Sequence, residues 1–284
     1  MKYIVTSNIN LEAITNNNSL SFTCPRNSEG SIQFLIENET NISIIVEENA
    51  HWTINVEYLK GFIKSKNKIE IKEYASLKHN IIIYENINDI DISQNVEILS
   101  NGDYTSALLD VSENNVLFNN QIDLIGEYAS SYFRSAIVSN KDAKKIYEIA
   151  TTNKALYTTS KMDNYGVCKE NSKLEFKGIG TIKKGYKQSN NHQNSKIIVF
   201  DELSNASVYP LLYIDEYDVL ASHSAAVGKV NDEHMYYLCS RGLNEEQARE
   251  FITMGYLLPV LNYFLDENIK TKAKMTLERR VINA

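Results

Sequence analysis

The stretch Ser31–Val56, SIQFLIENETNISIIVEENAHWTINV, decides the fold. Ile32, Phe34 and Ile36 alternate with polar neighbours, then Ile42, Ile44 and Val46, then Trp52, Ile54 and Val56, with Asn- and Glu-rich connectors between the blocks. Successive side chains of a strand point to opposite faces, so each block reads as a strand with one buried face. The blocks recur at intervals of about ten residues, the spacing of an all-β chain of short strands.

Outward from this stretch the pattern continues through Ile69 and Ile71, Ile81 and Ile83, Ile90 and Ile92, Val96 and Ile98, Ile122 and Leu124, and Ile197 and Val199. Between Ser31 and Asp201 helical periodicity is nearly absent. The exception is Asp142–Thr152, where Ala143, Ile146, Ile149 and Ala150 fall at helical spacing and read equally as a short helix or a polar strand. Strands at this spacing suit a sandwich, a barrel or a solenoid. The length of the β region favours the solenoid, although no strict repeat is visible and period alone does not choose.

The period changes after Val230. Asp232–Ser240 places Met235, Leu238 and Cys239 on one helical face before Arg241 and Gly242 stop the helix. Asn244 with Gln247 three positions on is a capping box that starts a second helix, with Ala248, Phe251, Ile252, Gly255 and Leu258 along one side. Pro259 is expected to interrupt it, and the basic end carrying Lys270, Lys272, Lys274, Arg279 and Arg280 to be solvated. The expected organisation is a short N-terminal segment (1–30), a β core (31–230) and a helical region (231–284).

Composition narrows the function classes. A formal charge of -7 disfavours nucleic acid as partner, since phosphate binding is dominated by Lys and Arg. Cys24, Cys168 and Cys239 fit neither a disulfide framework nor a zinc pair, which implies a reducing, cytoplasmic setting. Met1–Asn10 lacks the pattern of a signal peptide, and no apolar run is long enough to span a bilayer, so no membrane is expected as partner. The Asn-rich connectors and 18 tyrosines read as compositional bias.

Motifs for independent chemistry are weak. Gly178, Gly180 and Gly185 with Lys183 and Lys184 resemble a phosphate loop in composition, but strand signals flank both sides and the spacing matches neither nucleotide motif. His51, His79, His192, His223 and His234 are too dispersed for a zinc site and read mostly as surface residues. Cys239 reads as a buried thiol on an apolar helix face. No GxSxG elbow is present. A β-helix enzyme acting on polysaccharide is the alternative class, with abundant but unpaired carboxylates.

One stretch is specific: Asp218–Gly242, DVLASHSAAVGKVNDEHMYYLCSRG. It resembles the C-terminal signature of the SufB/SufD family of iron–sulfur cluster assembly proteins, an A-S-H-[GS]-A-x-V-G element followed by L-[FY]-Y-L-x-S-R-G-[IL]. The likeness extends through Gly180–Lys184, Asn194–Phe200 and Pro210–Ile214 upstream and Glu246–Leu258 downstream. It implies a right-handed parallel β-helix followed by C-terminal helices. SufB-like members carry E-H-E-A and an upstream Q-C-D-S cysteine. Here Ser222, His223, Ser224 and Ala225 stand at the first and Gln193, Asn194 and Ser195 at the second, which is SufD-like.

The resemblance further implies a scaffold without turnover of its own, in which Ser222, His223 and Ser224 lie at the cluster-assembly interface with a SufB-like subunit. His223 would be a transient iron ligand there, with no cofactor permanently bound. Self-pairing into a homodimer is the alternative to that heterodimer. The same resemblance assigns docking of a SufC-like ABC-type ATPase to Tyr236, Tyr237, Arg241, Gly242, Leu243, Glu246, Ala248, Phe251, Ile252 and Gly255. A helix of this region is also expected to cap the solenoid's end.

Overall fold

The computed structural model of the chain describes residues 2–7, 14–16, 18–84, 87–264 and 267–282. In chain order the strands are β1 (Lys2–Ser7), β2 (Ile14–Asn16), β3 (Ser19–Cys24), β4 (Glu29–Ile36), β5 (Asn41–Val46), β6 (His51–Tyr58), β7 (Gly61–Ile71), β8 (Ser76–Ile83) and β9 (Ile87–Ile98). They continue as β10 (Asp103–Asp110), β11 (Val116–Leu124), β12 (Ser130–Ser139), β13 (Lys144–Asn153), β14 (Thr159–Cys168), β15 (Lys173–Ile182), β16 (Asn190–Val199), β17 (Asn205–Ile214) and β18 (Leu220–Lys229). The helices α1 (Asp232–Ser240), α2 (Glu245–Leu261) and α3 (Glu267–Ile282) follow.

From β3 onward the chain alternates between two sheets, one strand to each per coil. Sheet A runs β1-β4-β6-β8-β10-β12-β14-β16-β18 and sheet B runs β2-β3-β5-β7-β9-β11-β13-β15-β17. All pairings are parallel except β1 with β4 and β2 with β3, which close the N-terminal end antiparallel. This is the parallel β-solenoid expected above. Coil length explains the missing repeat: equivalent residues are 25 apart at Asn55 and Asn80, 29 at Ser135 and Asn164 and 31 at Asn164 and Ser195.

Every second side chain fills the lumen between the sheets. Phe22, Phe34 and Trp52 pack edge to face at one end, and Phe118, Phe133, Tyr147 and Phe176 form a row of ring contacts through the middle. Each such side chain, removed from water, stabilises the fold by about 1.5–3 kcal/mol. The stretch Asp142–Thr152, ambiguous in sequence, is strand β13: Lys145, Tyr147, Ile149 and Thr151 point inward at period two.

Asparagine and tyrosine turn out to be structural rather than incidental. One corner of every coil except the last holds a residue in the left-handed conformation: Asn27, Asn49, Tyr74, Asn101, Tyr128, Tyr157 and Gln188, with φ between 56° and 62°. Each donates its N–H to a carbonyl of the next coil, from Asn27 to Glu48 through Gln188 to Asp218. Asn tolerates this conformation. Tyrosine does so poorly, and Tyr128 and Tyr157 offset the cost by stacking with centroids 4.8 Å apart.

Two buried polar groups anchor the lumen. Lys145 Nζ donates to Asp110 Oδ2 at 2.7 Å and to the carbonyls of Ser112 and Val138, with both side chains fully buried. Tyr147 donates its hydroxyl to the same carboxylate oxygen at 2.6 Å. Further along, His79 lies against Tyr104, Nδ1 to hydroxyl 3.1 Å, while Gln94 Nε2 donates to that hydroxyl. His79 is therefore a lumen residue, contrary to the surface position expected; burial pushes its imidazole down to about 3.

The helical tail departs from expectation in three ways. It does not cap the solenoid's end; α2 and α3 lie across the outer face of sheet A. There Leu257, Val260, Leu261, Phe264, Ile269, Ala273 and Leu277 cover Ile82, Ala107, Leu109, Val111, Ala136, Val138 and Val167. The basic end is not a solvated tail but α3, and Lys272 reaches the buried carboxylate of Glu57. Helix α2 continues through Pro259 to Leu261; the proline falls in its last turn, where it forgoes one bond to the Gly255 carbonyl just before the helix stops.

Breaking a buried pair strands the remaining charge, so Lys145→Met is expected to cost about 3–5 kcal/mol in urea denaturation. Adding Asp110→Asn to that variant should recover part of the loss. Unfolded His79 takes up a proton near 6.5, whereas the folded residue does so only near 3. The unfolded chain thus binds more protons between these values, and stability falls as pH drops through that window. Below about pH 6, His79→Gln should remove up to ~1.4 kcal/mol per pH unit from the slope of unfolding free energy against pH.

Candidate functional site at the open end of the solenoid

The last coil is the site's foundation. Strands β17 and β18 are the terminal strands of their sheets, so each presents an unpaired edge, and β18 is exposed along its whole length. Leu220 and Val227 on β18, and Tyr209, Tyr213 and Tyr217 on and after β17, are exposed. Unpaired edges flanked by exposed apolar and aromatic side chains are what a sheet-extending partner covers.

Strand geometry divides the Ser222–His223–Ser224 triplet. β18 pairs in register with β16, setting Ser222 over His192, His223 over Gln193 and Ser224 over Asn194. Gln193 belongs to the buried, lumen-facing set of β16, so His223 stands on the lumen side at the solenoid's mouth while Ser222 and Ser224 share the outer face. Ser222 Oγ lies 2.8 Å from His192 Nδ1, but His51 and Ser76 make the same contact at 2.8 Å several coils away. The pair is a ladder contact of the parallel register and not a catalytic dyad.

Beneath His223 the lumen is polar. Gln193 donates Nε2 to the Leu211 carbonyl at 2.9 Å, and Asn191 donates to Thr151 and Asn153. These amides explain Gly178 and Gly180, which lie on β15 and form no phosphate loop. A Cβ at Gly178 would approach Gln193 Oε1 to 2.7 Å, and one at Gly180 would collide with Asn191 Oδ1. Asn191 carries no signal of its own in the sequence, and Gln193 enters there only through the comparison with Q-C-D-S; the coil period of 30 residues between His192 and Ser222, once known, places both on the lumen face.

The proposed docking residues separate into three groups. Tyr236, Tyr237, Arg241, Gly242, Glu246, Phe251 and Gly255 are exposed, with Phe251 at 63%. Leu243 and Ile252 are half-buried, and Ala248 is fully buried, so Ala248 packs the helix onto the body and is not available to a partner. The buried face of α2 is Ala248, Thr253, Leu257, Val260 and Leu261, which leaves Phe251 pointing outward.

Helix α1 buries none of its residues, and Cys239, expected to be buried, is exposed there. Gly242 ends α1 with φ 99°, its N–H bonding Cys239 O while that of Leu243 reaches Leu238 O. That is a Schellman stop, so Gly242 and Leu243 shape the turn between the helices. Asn244 and Gln247 then form the capping box expected from sequence. Arg249 fastens the turn to the solenoid, donating to the Phe200 carbonyl at 2.9 Å. A groove of about 380 Å³ lined by Val199, Phe200, Val230, Met235, Tyr236 and Cys239 lies between α1 and the last coils.

Among the described residues, no three His, Cys, Asp or Glu side chains lie close enough to hold a metal ion, and His223 offers a single imidazole. No helix among these residues is long and apolar enough to cross a membrane.

Comparison with known proteins agrees with this anatomy. The family described as SUF system FeS cluster assembly, SufBD core domain, matches residues 33–256. The iron–sulfur cluster assembly protein SufD of Bacillus subtilis is 38% identical over 117 residues, covering 41% of this chain and 27% of the relative. An iron–sulfur cluster assembly SufBD family protein of Staphylococcus epidermidis is 27% identical over 136 residues, 48% of this chain and 29% of its own. One from Mycobacterium tuberculosis is 26% identical over 137 residues, 48% of this chain and 16% of its own. The matched stretches thus span less than a third of each of these relatives. With the family match running through most of the solenoid and into α2, the chain belongs to the SufBD family of SUF-system iron–sulfur cluster assembly proteins.

Proposed function

We propose that this chain is a SufD-like scaffold subunit, without turnover of its own, that supports iron–sulfur cluster assembly in the cytoplasm. The observation that carries the reading is the open last coil, where two unpaired strand edges surround His223. A SufB-like subunit extends both sheets from β17 and β18, and its arrival encloses the mouth. His223 then contributes one neutral imidazole to the iron of the growing cluster, which is cargo, and the partner supplies the remaining ligands. Ser222 and Ser224 face the outer side of the same seam.

The second contact is with a SufC-like ABC-type ATPase. Helix α1, with no buried residue, and the exposed front of α2 carrying Phe251 form its dock, in the manner of a helix laid into a groove. ATP hydrolysis in the docked subunit shifts the helices and, through them, the seam around His223. The absence of a cysteine at Gln193–Ser195 and the 38% identity to a protein named SufD support the SufD-like over the SufB-like role.

Co-purification of the tagged chain with SufB-like and SufC-like proteins, followed by mass determination and anaerobic iron and sulfide analysis, tests the whole reading. A chain that stays alone or self-pairs would overturn it. Within the complex, His223→Ala should leave the mass unchanged and lower cluster yield at least about tenfold, since even partners that only orient a metal ligand cost that much when removed; an unchanged yield removes His223 from the mechanism. Phe251→Glu should weaken ATPase docking at least 30-fold, an effect of about 2 kcal/mol at an aromatic anchor, while pairing with the SufB-like subunit is retained.

A further inference from the structure

We propose that α2 and α3 are a strap that lifts from sheet A as a unit while the solenoid beneath stays folded, and that the Lys272–Glu57 pair is the anchor holding it down. The packing divides along this line. The lumen core is built entirely from the strands and their corners, whereas the helices pack in a separate cluster on the outer face of sheet A. The ladders β8–β10, β10–β12 and β12–β14 pair residue by residue beneath the helices, so lifting the strap breaks no sheet hydrogen bond. Elements joined by few bonds outside the main core open as cooperative units of their own.

Besides the Arg249 bond to the Phe200 carbonyl, where α2 joins the solenoid, two polar contacts pin the apolar bed. Near the turn between α2 and α3, the Arg134 guanidinium lies between the rings of Tyr132 and Tyr263. On α3, Lys272 donates to Glu57, a residue 215 positions earlier whose side chain is fully buried. Gln33 and Tyr84 also donate to that carboxylate, but both are neutral and belong to the solenoid. Only Lys272 among these donors brings charge, and it comes from the strap.

This arrangement fixes the sign of two substitutions. With Lys272 replaced by a neutral residue, closing the strap would cover a carboxylate that has lost its ammonium partner, a costly act, whereas lifting it returns Glu57 to water. Replacing Glu57 by glutamine as well removes the charge that resists closure. The second change therefore repairs the first, which loss of ordinary packing would not produce.

Hydrogen–deuterium exchange of the intact chain, read by mass spectrometry over peptides from Leu257–Leu277, tests the strap without any partner. In the unmodified chain these peptides should exchange together and faster than β10 and β12. Lys272→Met should accelerate them about tenfold, a discounted effect because Lys272 is 46% exposed, and leave β10 and β12 unchanged. Glu57→Gln added to that variant should slow them again. Strap peptides that exchange at the rate of β10 and β12 would show one cooperative unit and overturn the proposal. A double variant no better protected than Lys272→Met would remove the anchor.

Discussion

In-register parallel stacking is the constraint on which the rest of this structure depends. Each residue of a coil sits over its counterpart in the next, so every column must tolerate neighbours of its own kind. Aliphatic and aromatic columns do so by packing. Amide columns do so because Asn carries both donor and acceptor: Asn80 donates to Asn55, and Ser135, Asn164 and Ser195 form a chain through the lumen wall. Carboxylates stack badly in a closed lumen, and Asp110 is held there by Lys145 and Tyr147 together. The same rule sets the corners, where Asn satisfies the left-handed turn. A chain of this architecture is rich in Asn for a physical reason that composition alone conceals.

The solenoid was legible wherever one strand face meets water. β4 and β5 alternate cleanly, and Ile32, Phe34, Ile36, Ile42, Ile44 and Val46 are core residues as expected. β6 alternates in residue type although Asn55 and Glu57 are buried as well, and β7 shows its period only at Ile69 and Ile71, because Ser65 and Asn67 are polar lumen residues. Strand β9 was read as two, since Asp91 to Glu97 carries polar lumen residues such as Gln94. β10 and β12 gave no strand signal, for a different reason. Ala107, Leu109, Ala136 and Val138 lie under the helices, so these strands are buried on both faces and lose their period. The helices were readable by their caps, but the side on which they pack was not. The apolar side named from sequence included Phe251, whereas the buried side is centred on Leu257 and Leu261. Helical periodicity identifies a stripe; which stripe meets the sheet depends on how the Schellman turn at Gly242 aims α2, a matter of backbone direction.

The two ends of the solenoid differ in kind. At the N-terminal end β1 and β2 pair antiparallel onto β4 and β3, which changes the pattern of the exposed edge. At the other end β17 and β18 keep the parallel pattern, with no covering element among the described residues, because the helices that could have covered them turn aside onto sheet A. That diversion is fixed by Arg249 at Phe200 and completed by Lys272 at Glu57. The tail thus protects the flank of the middle coils, from β8 to β14, and leaves the last coil bare. A bare strand edge on the last coil and a bed for the helices are two results of one choice of direction after Asn231.

Two histidines of the lumen side show how position along the solenoid decides chemistry. His79 and His223 both occupy inward-facing positions of sheet A, each above a coil that offers polar groups. Coils close over His79 from both sides, and burial keeps its imidazole neutral to about pH 3, so it can serve only as a fixed hydrogen-bonding member of the core. His223 has coils on one side only. Its ring stays exposed above Gln193, accessible from the mouth and directed by the same strand geometry that fixed His79. Ending the solenoid one coil later would have buried His223 as His79 is buried. The place where the coils stop is therefore what makes this imidazole available.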